Sequence, residues 1–339
     1  MSPRDTTEES RRATIRTVAE DAGVSVAAVS KVLRDAYGVS DALRARVNAS
    51  IAKLGYRPSK AAQGLRGRST TVGVLLVEIA NPFLPAVIDG IQDTLAPSHF
   101  RAMIGVGRAQ THLETELIES MIDHGMAGVI LVAPLLPREV VARYAQKIPT
   151  VLIAYHAPDA APFDTVNSDD RRGGALAAQA LIDRGHRDIG FLAHHGAGGR
   201  KPSVVREREA GYAEALTRAG LAPRVFDLTA PPEGRPAELV AFLARPDRPR
   251  AVVCWSDLDG LPLRALAAQA GLRVPGDLAL VAYDNSPMAA SPAFDLASID
   301  QHGRELGRQA ADVLLARLGG RSEARHLLVE PHLVVRSSI

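Results

Sequence analysis

The chain has 339 residues, 46% of them hydrophobic and 23% charged, with a net charge of +2 and a single cysteine. That length suffices for two or three domains with a sizeable core, and the composition is that of an ordinary soluble globular protein. No apolar run approaches the roughly 18–20 residues of a membrane span, the polar start MSPRDTTEESRRAT carries no apolar signal core, and one cysteine excludes a disulfide framework or a cysteine-based zinc cluster, so a cytoplasmic protein with no membrane partner is expected.

The charge is unevenly spread. Residues 1–70 hold 13 Lys and Arg against 7 Asp and Glu, a net of +6, which leaves 27 against 31, a net of −4, for the rest. A basic head on a slightly acidic body points to a polyanion as the partner of the head.

Beyond a polar tail over 1–12, the head, 13–58, contains three helical segments. In TIRTVAEDAGVS, Thr14 caps a helix whose Ile15, Val18, Ala19 and Ala22 share one face, and Gly23 ends it. Ser25 caps a second helix, VAAVSKVLR, with Val29, Val32 and Leu33 inward. A third runs from Ser40 through Leu43, Val47, Ile51 and Leu54 to Gly55, ahead of Pro58. Small Ala19, the turn at Gly23 and apolar Val29, four and then six residues apart, form the spacing of a helix-turn-helix.

Such a unit lays its second helix in the major groove of DNA. The outward residues are Ser25, Val26, Ala27, Ser30, Lys31 and Arg34, and Thr14 joins them as a DNA-contacting candidate. Lys31 can donate to guanine O6 and N7, Val26 and Ala27 suit a thymine methyl, and the two serines suit phosphate. One charged reader and two methyl sensors make a thin code, so specificity needs a second source.

The segment PSKAAQGLRGRST, 58–70, places one large apolar residue, Leu65, among Lys60, Arg66 and Arg68. It reads either as a solvated connector or as something that folds only on a partner. It is too short, with Gly64 inside it, to be a stable helix in water.

From Thr71 onward short apolar strands alternate with amphipathic helices. VGVLLV, RAMIGV, GVILVA, TVLIA, IGFLA, RVFDL, AVVCWS and LALVAY are strands; HLETELIESMIDHG, GGALAAQALIDRG and LRALAAQAG are helices between them. This alternation predicts parallel, doubly wound α/β sheets, and the number of strands predicts two lobes with a cleft at the strand C-termini.

TIRTVAEDAGVSVAAVSKVL, the VS at 39–40 and LGYRPS at 54–59 together resemble the lactose-repressor/purine-repressor (LacI) family of bacterial transcription regulators. The likeness continues through EIANPF, VNSDDRRGG, DRGHRDIGFL, REREAGYAEAL, CWSDLDGLPLRAL, RVPGDLALVAYDN and SIDQ. It implies a hinge helix within 59–69, ordered when two subunits sit on DNA, with Leu65 as a minor-groove wedge and Ala62 on the same face. A wedge bends the duplex, and the deformability of the site then adds the missing specificity.

For the body, 70–339, the resemblance implies the fold of periplasmic sugar-binding proteins, with crossings between lobes near Asn167, Asp300 and His326. One lobe is then 70–167 with 300–325, the other 168–299 with 326–339. Carried over by position, the effector-binding candidates are Asn81 and Phe83 on one lobe, Arg208, Ser256 and Asp284 on the other, and Gln301 at a crossing. Asp169 and Asp170 read equally well as helix caps, and Trp255 as core or cleft. Three departures from the family pattern blur the ligand: Ala154 and Tyr155 where an aspartate is common, Leu84 for a second phenylalanine, and Ser256 for asparagine. A sugar, sugar acid or polyol is expected, with a purine-type corepressor as the alternative.

Enzyme readings fare poorly. GVG at 105–107 runs into RAQ, so a phosphate loop fails; His186, His194 and His195 lack metal-ligand spacing; Cys254 sits in a core strand; no GxSxG occurs. No cofactor or metal is expected. The chain ends in a strand-like HLLVEPHLVVRSSI without leucine heptads, so the expected assembly is a homodimer on an inverted-repeat operator. A solute-binding or enzymatic α/β protein with an incidental basic head is the rival, and salt-dependent retardation of duplex DNA separates the two.

Overall fold

The structure, a computed structural model, describes residues 13–33, 36–56, 69–195, 201–231 and 233–339. Arg34, Ala62, Leu65 and the rest of the expected hinge helix lie outside them. The chain divides between Ser69 and Thr70 into two compact units.

The first unit is a three-helix head: α1 (Ile15–Asp21), α2 (Val26–Leu33) and α3 (Asp41–Leu54). Thr14 and Thr17 form a reciprocal capping box, Ser25 Oγ accepts from Ala28 N at 3.1 Å, and Ser40 Oγ accepts from Leu43 N at 3.3 Å. Gly23 and Gly55 both take positive φ, 61° and 60°, where each helix turns off. Val18, Ala19, Ala22, Val29, Val32 and Val47 are its buried centre. Lys53 Nζ bonds Asp21 Oδ1 at 2.6 Å and ties α3 to α1.

The second unit holds two six-stranded sheets. Strands β1 (Thr71–Leu76), β2 (Arg101–Val106), β3 (Gly128–Val132), β4 (Thr150–Ile153), β5 (Asp164–Ser168) and β11 (His326–Val329) form the first lobe in the order β11-β5-β4-β3-β1-β2, all parallel. The second lobe has the order β12-β10-β9-β8-β6-β7, from β6 (Ile189–His194), β7 (Arg224–Leu228), β8 (Ala251–Cys254), β9 (Ala279–Tyr283), β10 (Ala297–Asp300) and β12 (His332–Val334). Its strands are parallel except for the antiparallel β10–β12 pair. Each sheet is buried under helices on both faces, which is why its strands read as unbroken apolar runs.

The chain crosses between lobes after Ser168, after Asp300 and at residues 330–331. The last crossing falls beyond the expected position at His326. Residues 326–329 pair with β5 and belong to the first lobe, so what reads as one terminal strand is two. Pro331 supplies the physical reason: it has no N–H to continue a ladder.

One helix pair in each lobe packs unusually closely. In the first, α4 (Leu84–Leu95) crosses α11 (Gly303–Leu318); a Cβ on Gly90 would strike the Arg304 carbonyl, and one on Gly307 the Val87 carbonyl. In the second, α7 (Asp170–Asp183) crosses α8 (Ser203–Arg218), with Gly174 against the Arg208 carbonyl and Gly211 against that of Arg171. The second crossing fixes Arg208, a candidate effector residue, at the level of its backbone.

Candidate DNA-recognition face and effector cleft

In the head, Val26, Ala27 and Lys31 stand exposed on one side of α2, opposite the buried Val29 and Val32. Val26 is 41% exposed, an apolar side chain with no intrachain reason to face water. Ser25 is also exposed, Ser30 is half-buried, and Thr14 sits at the start of α1 with its hydroxyl engaged in the capping box. Tyr37, just past α2, is fully exposed. Sequence reasoning passed over it, because an aromatic residue in a polar loop carries no periodic signal.

In the body, backbone strain gathers where strands end. Ala133 and Ala154 follow β3 and β4, and Asp284 and Asn285 follow β9; all four have φ between 48° and 106°. Non-glycine residues rarely hold such values unless the surroundings over-determine them, and they cluster at functional sites. These strand ends are also where open α/β sheets bind ligands.

A cavity of about 720 Å³ spans the two lobes at this level. Pro82, Phe83, the face of α4 as far as Thr94 and the start of α11 with Arg304 and Arg308 wall it on one side, Asp284 to Pro287 on the other, and Asp300 and His302 of the crossing lie between. The volume suits a small organic ligand. Phe83 and Asp284 thus share a cavity although 200 residues of chain separate them. Behind Asp284, Gln301 Nε2 donates to its Oδ1 at 2.5 Å, and Arg208 Nη1 lies 3.9 Å from the same oxygen.

Arg208 is 3% exposed. Its Nε donates to Asp170 Oδ1 at 2.7 Å, its Nη1 to the Trp255 carbonyl at 2.6 Å, and its guanidinium lies 3.6 Å from the centre of the Tyr283 ring. Burial alone would push the Asp170 carboxyl up, but Arg208 and then His156 outweigh it and hold Asp170 below the usual range. Burial pushes Asp284 well above that range, with Arg208 pulling back and Asp257 pushing further. Two carboxyls on either side of one guanidinium are thereby set apart in their readiness to ionise.

Asp170 does not cap its helix. Asp169 does, accepting from Arg172 N at 2.9 Å, and this frees Asp170 to bridge Arg208 and His156. His156, from the first lobe, bonds Asp170 Oδ2 through Nε2 at 2.7 Å and donates its backbone N–H to Ser203 Oγ at 3.1 Å. It latches one lobe to the other. Sequence reasoning gave His156 no role, since a lone histidine in a loop has no partner until the fold supplies one.

Two candidates are placed differently from expectation. Ser256 is fully buried and its hydroxyl accepts from Leu258 N at 3.1 Å, so it is the N-cap of α10 (Asp257–Gln269) and not a cleft contact. Asn81 spends its side-chain oxygen on Phe83 N at 2.9 Å, the turn chemistry of an Asx motif. Trp255 faces neither alternative cleanly: half-buried, it stacks on His194 with centroids 4.7 Å apart and donates to Asp259 Oδ2 at 2.5 Å.

A helix-turn-helix head joined to a two-lobed α/β binding fold defines a ligand-responsive DNA-binding regulator. The comparisons agree. Residues 14–59 match the family described as bacterial regulatory proteins, lacI family, and residues 178–339 match a periplasmic binding protein-like domain. The chain is 31% identical over 336 residues to the ribose operon repressor of Haemophilus influenzae, covering 96% of this chain and 98% of that one. It is 28% identical over 334 residues to the HTH-type transcriptional repressor PurR of Photobacterium profundum, with the same coverage. Among solved structures it is similar to the transcriptional regulator CelR in complex with cellobiose, at a TM-score of 0.70 and 29% identity, covering 97% of this chain and all of that one. The chain belongs to the LacI family of bacterial regulatory proteins. It is a DNA-binding transcriptional regulator and not an enzyme.

Proposed function

We propose that this protein is a cytoplasmic, homodimeric repressor of metabolic genes that reads an inverted-repeat operator and is controlled by a neutral sugar or polyol bound between its lobes. The observation that carries the effector class is the grouping at the cavity wall. Asp284 sits on a strained turn beside Arg208, is hydrogen-bonded by Gln301, and faces the Phe83 ring across about 720 Å³. An acceptor beside a donor suits vicinal hydroxyls, and an aromatic ring suits the apolar face of a sugar ring. Asp170 already neutralises Arg208, and the arginines on the cavity wall, Arg304 and Arg308, are paired with Asp93 and with Glu305 and Asp312, which favours a neutral ligand over a sugar acid or phosphate. The cellobiose seen in the similar CelR complex and the ribose operon of one relative accord with this class; the PurR relatives keep the purine-type corepressor as the second reading.

On DNA, Lys31, Val26 and Ala27 read bases, Ser25, Ser30, Thr14 and Arg34 hold the backbone, and Leu65 with Ala62 wedges the minor groove. Closing the lobes about the effector changes the spacing of the two hinge segments, and with it their ability to fold on the operator.

The test starts with selection of the operator from random duplexes, followed by titration of sugars, polyols, sugar acids and purines against thermal unfolding and Trp255 fluorescence. A neutral sugar at 100-fold over its dissociation constant should add about 2.7 kcal/mol of stability and shift operator affinity. A response confined to purines or to sugar acids overturns the effector class. Leu65→Ala should lose specific affinity and keep most non-specific binding; equal loss of both sinks the wedge.

A further inference from the structure

Two of the lobe crossings carry histidines that the fold brings together. β10 ends at Asp300 and the chain re-enters the first lobe through His302; His332 opens β12 just after the third crossing. The antiparallel pairing of β10 with β12 sets Asp300 directly opposite His332. His302 Nε2 lies 3.0 Å from His332 Nδ1, and the ligand atoms of Asp300, His302 and His332 all fall within 4.8 Å of one another. His302 holds a left-handed backbone, φ 58°, with its N–H on Asp300 Oδ1 at 2.7 Å, while Asn285 Nδ2 donates to Asp300 Oδ2 at 2.8 Å.

A bland account exists: two neutral imidazoles sharing one hydrogen bond at the surface. It leaves unexplained why a strained backbone aims His302 at the strand partner of Asp300. Two imidazole nitrogens at tetrahedral zinc, each about 2.0–2.1 Å from the metal, stand about 3.3 Å apart. The observed pair needs to open by only a few tenths of an ångström. Asn285 supplies the outer hydrogen bond that orients a ligating carboxylate. Water can fill the fourth position, since both histidines reach solvent.

We propose that Asp300, His302 and His332 form a site for a divalent transition-metal ion of zinc-like preference, pinning the second crossing of the chain to the third. Gln301, which holds Asp284 at the effector cavity, lies between two of the ligands. Asp300 and His302 also line the cavity assigned to the organic effector, so the ion would sit at its rim and act on the same lobe equilibrium. Nitrogen ligands favour zinc over the oxygen-seeking magnesium. Thirty residues separate His302 from His332, so no sequence motif announces the pair.

The experiment uses tag-free, chelator-stripped full-length protein titrated with zinc or magnesium, read by native mass spectrometry and thermal unfolding. Wild type should take one zinc per chain with a rise in melting temperature and show no response to magnesium. His302→Asn, which keeps a residue at ease with the left-handed backbone, and His332→Gln should each weaken zinc binding about tenfold or more. Replacing the exposed His112 by alanine should leave it unchanged. Circular dichroism confirms that each variant is folded. No stoichiometric zinc on wild type, or affinity unmoved in both variants, overturns the site. Neither readout involves sugar or operator, so failure here leaves the proposed function standing, and the converse holds.

Discussion

Arg208 and Asp170 form a fully buried ion pair, Nε to Oδ1 at 2.7 Å, between the middle of one helix and the start of another. Taking both charges out of water costs several kcal/mol per ion, which their attraction offsets only while both remain. Arg208→Ala strands the carboxylate and should lower unfolding stability by about 3–5 kcal/mol. The double change of Arg208 to Met with Asp170 to Asn removes both charges and should recover most of that loss. Urea denaturation of the three variants checks the sign and the recovery.

Gly211 faces the Arg171 carbonyl too closely for any side chain. Gly211→Ala should cost about 1–3 kcal/mol through overpacking. Since the same crossing holds Arg208, effector affinity should fall as well. Matched thermal unfolding and ligand titration test both; a variant that melts lower but binds effector normally would uncouple Arg208 from the crossing.

On the DNA side, Lys31→Ala should cost about 1–3 kcal/mol and relax preference at one or two base pairs in each half-site. Binding measured on every single-base variant of the selected operator distinguishes this from uniform weakening, which would make Lys31 a phosphate contact.

Glu114, fully buried, accepts from Leu135 N through both oxygens, and burial, against the backbone bonds of Leu135 and Leu136, pushes its carboxyl up to about 7. A carboxyl whose pKa rises on folding favours the folded state fully below its unfolded value, near 4.5, and loses that stability as pH climbs through about 7. The loss amounts to at most about 3 kcal/mol at 1.36 kcal/mol per unit. Glu114→Gln removes the titration, so its melting temperature should fall less than that of wild type between pH 4.5 and 7.

The helical head was legible because its signals are local: caps at Thr14, Ser25 and Ser40 and a stripe of small apolar residues lie within single turns. The eight apolar runs read as strands were found as strands for the same reason. β5, with DTVNS, was not read, since its polar letters are buried by pairing with β4 and β11 and not by their own chemistry. Arg208, Asp284 and Gln301 come together in space. Ser256 does not, because a serine before a helix is claimed by the backbone. Asp170 and His156 became a pair only when two lobes met, and no spacing in the chain encodes that meeting.

The glycine crossings at Gly90–Gly307 and Gly174–Gly211 lock each lobe's helices backbone to backbone, so neither lobe has slack to deform gradually. Relative movement of the lobes is then taken up by three short peptide stretches, at 168–170, 300–302 and 330–331, and by the His156 latch on Asp170 and Ser203. Of the three, only 330–331 holds no residue of the cavity wall or of the Arg208 cluster, so substitutions there are the ones expected to change how strongly operator and effector are linked while sparing each binding event.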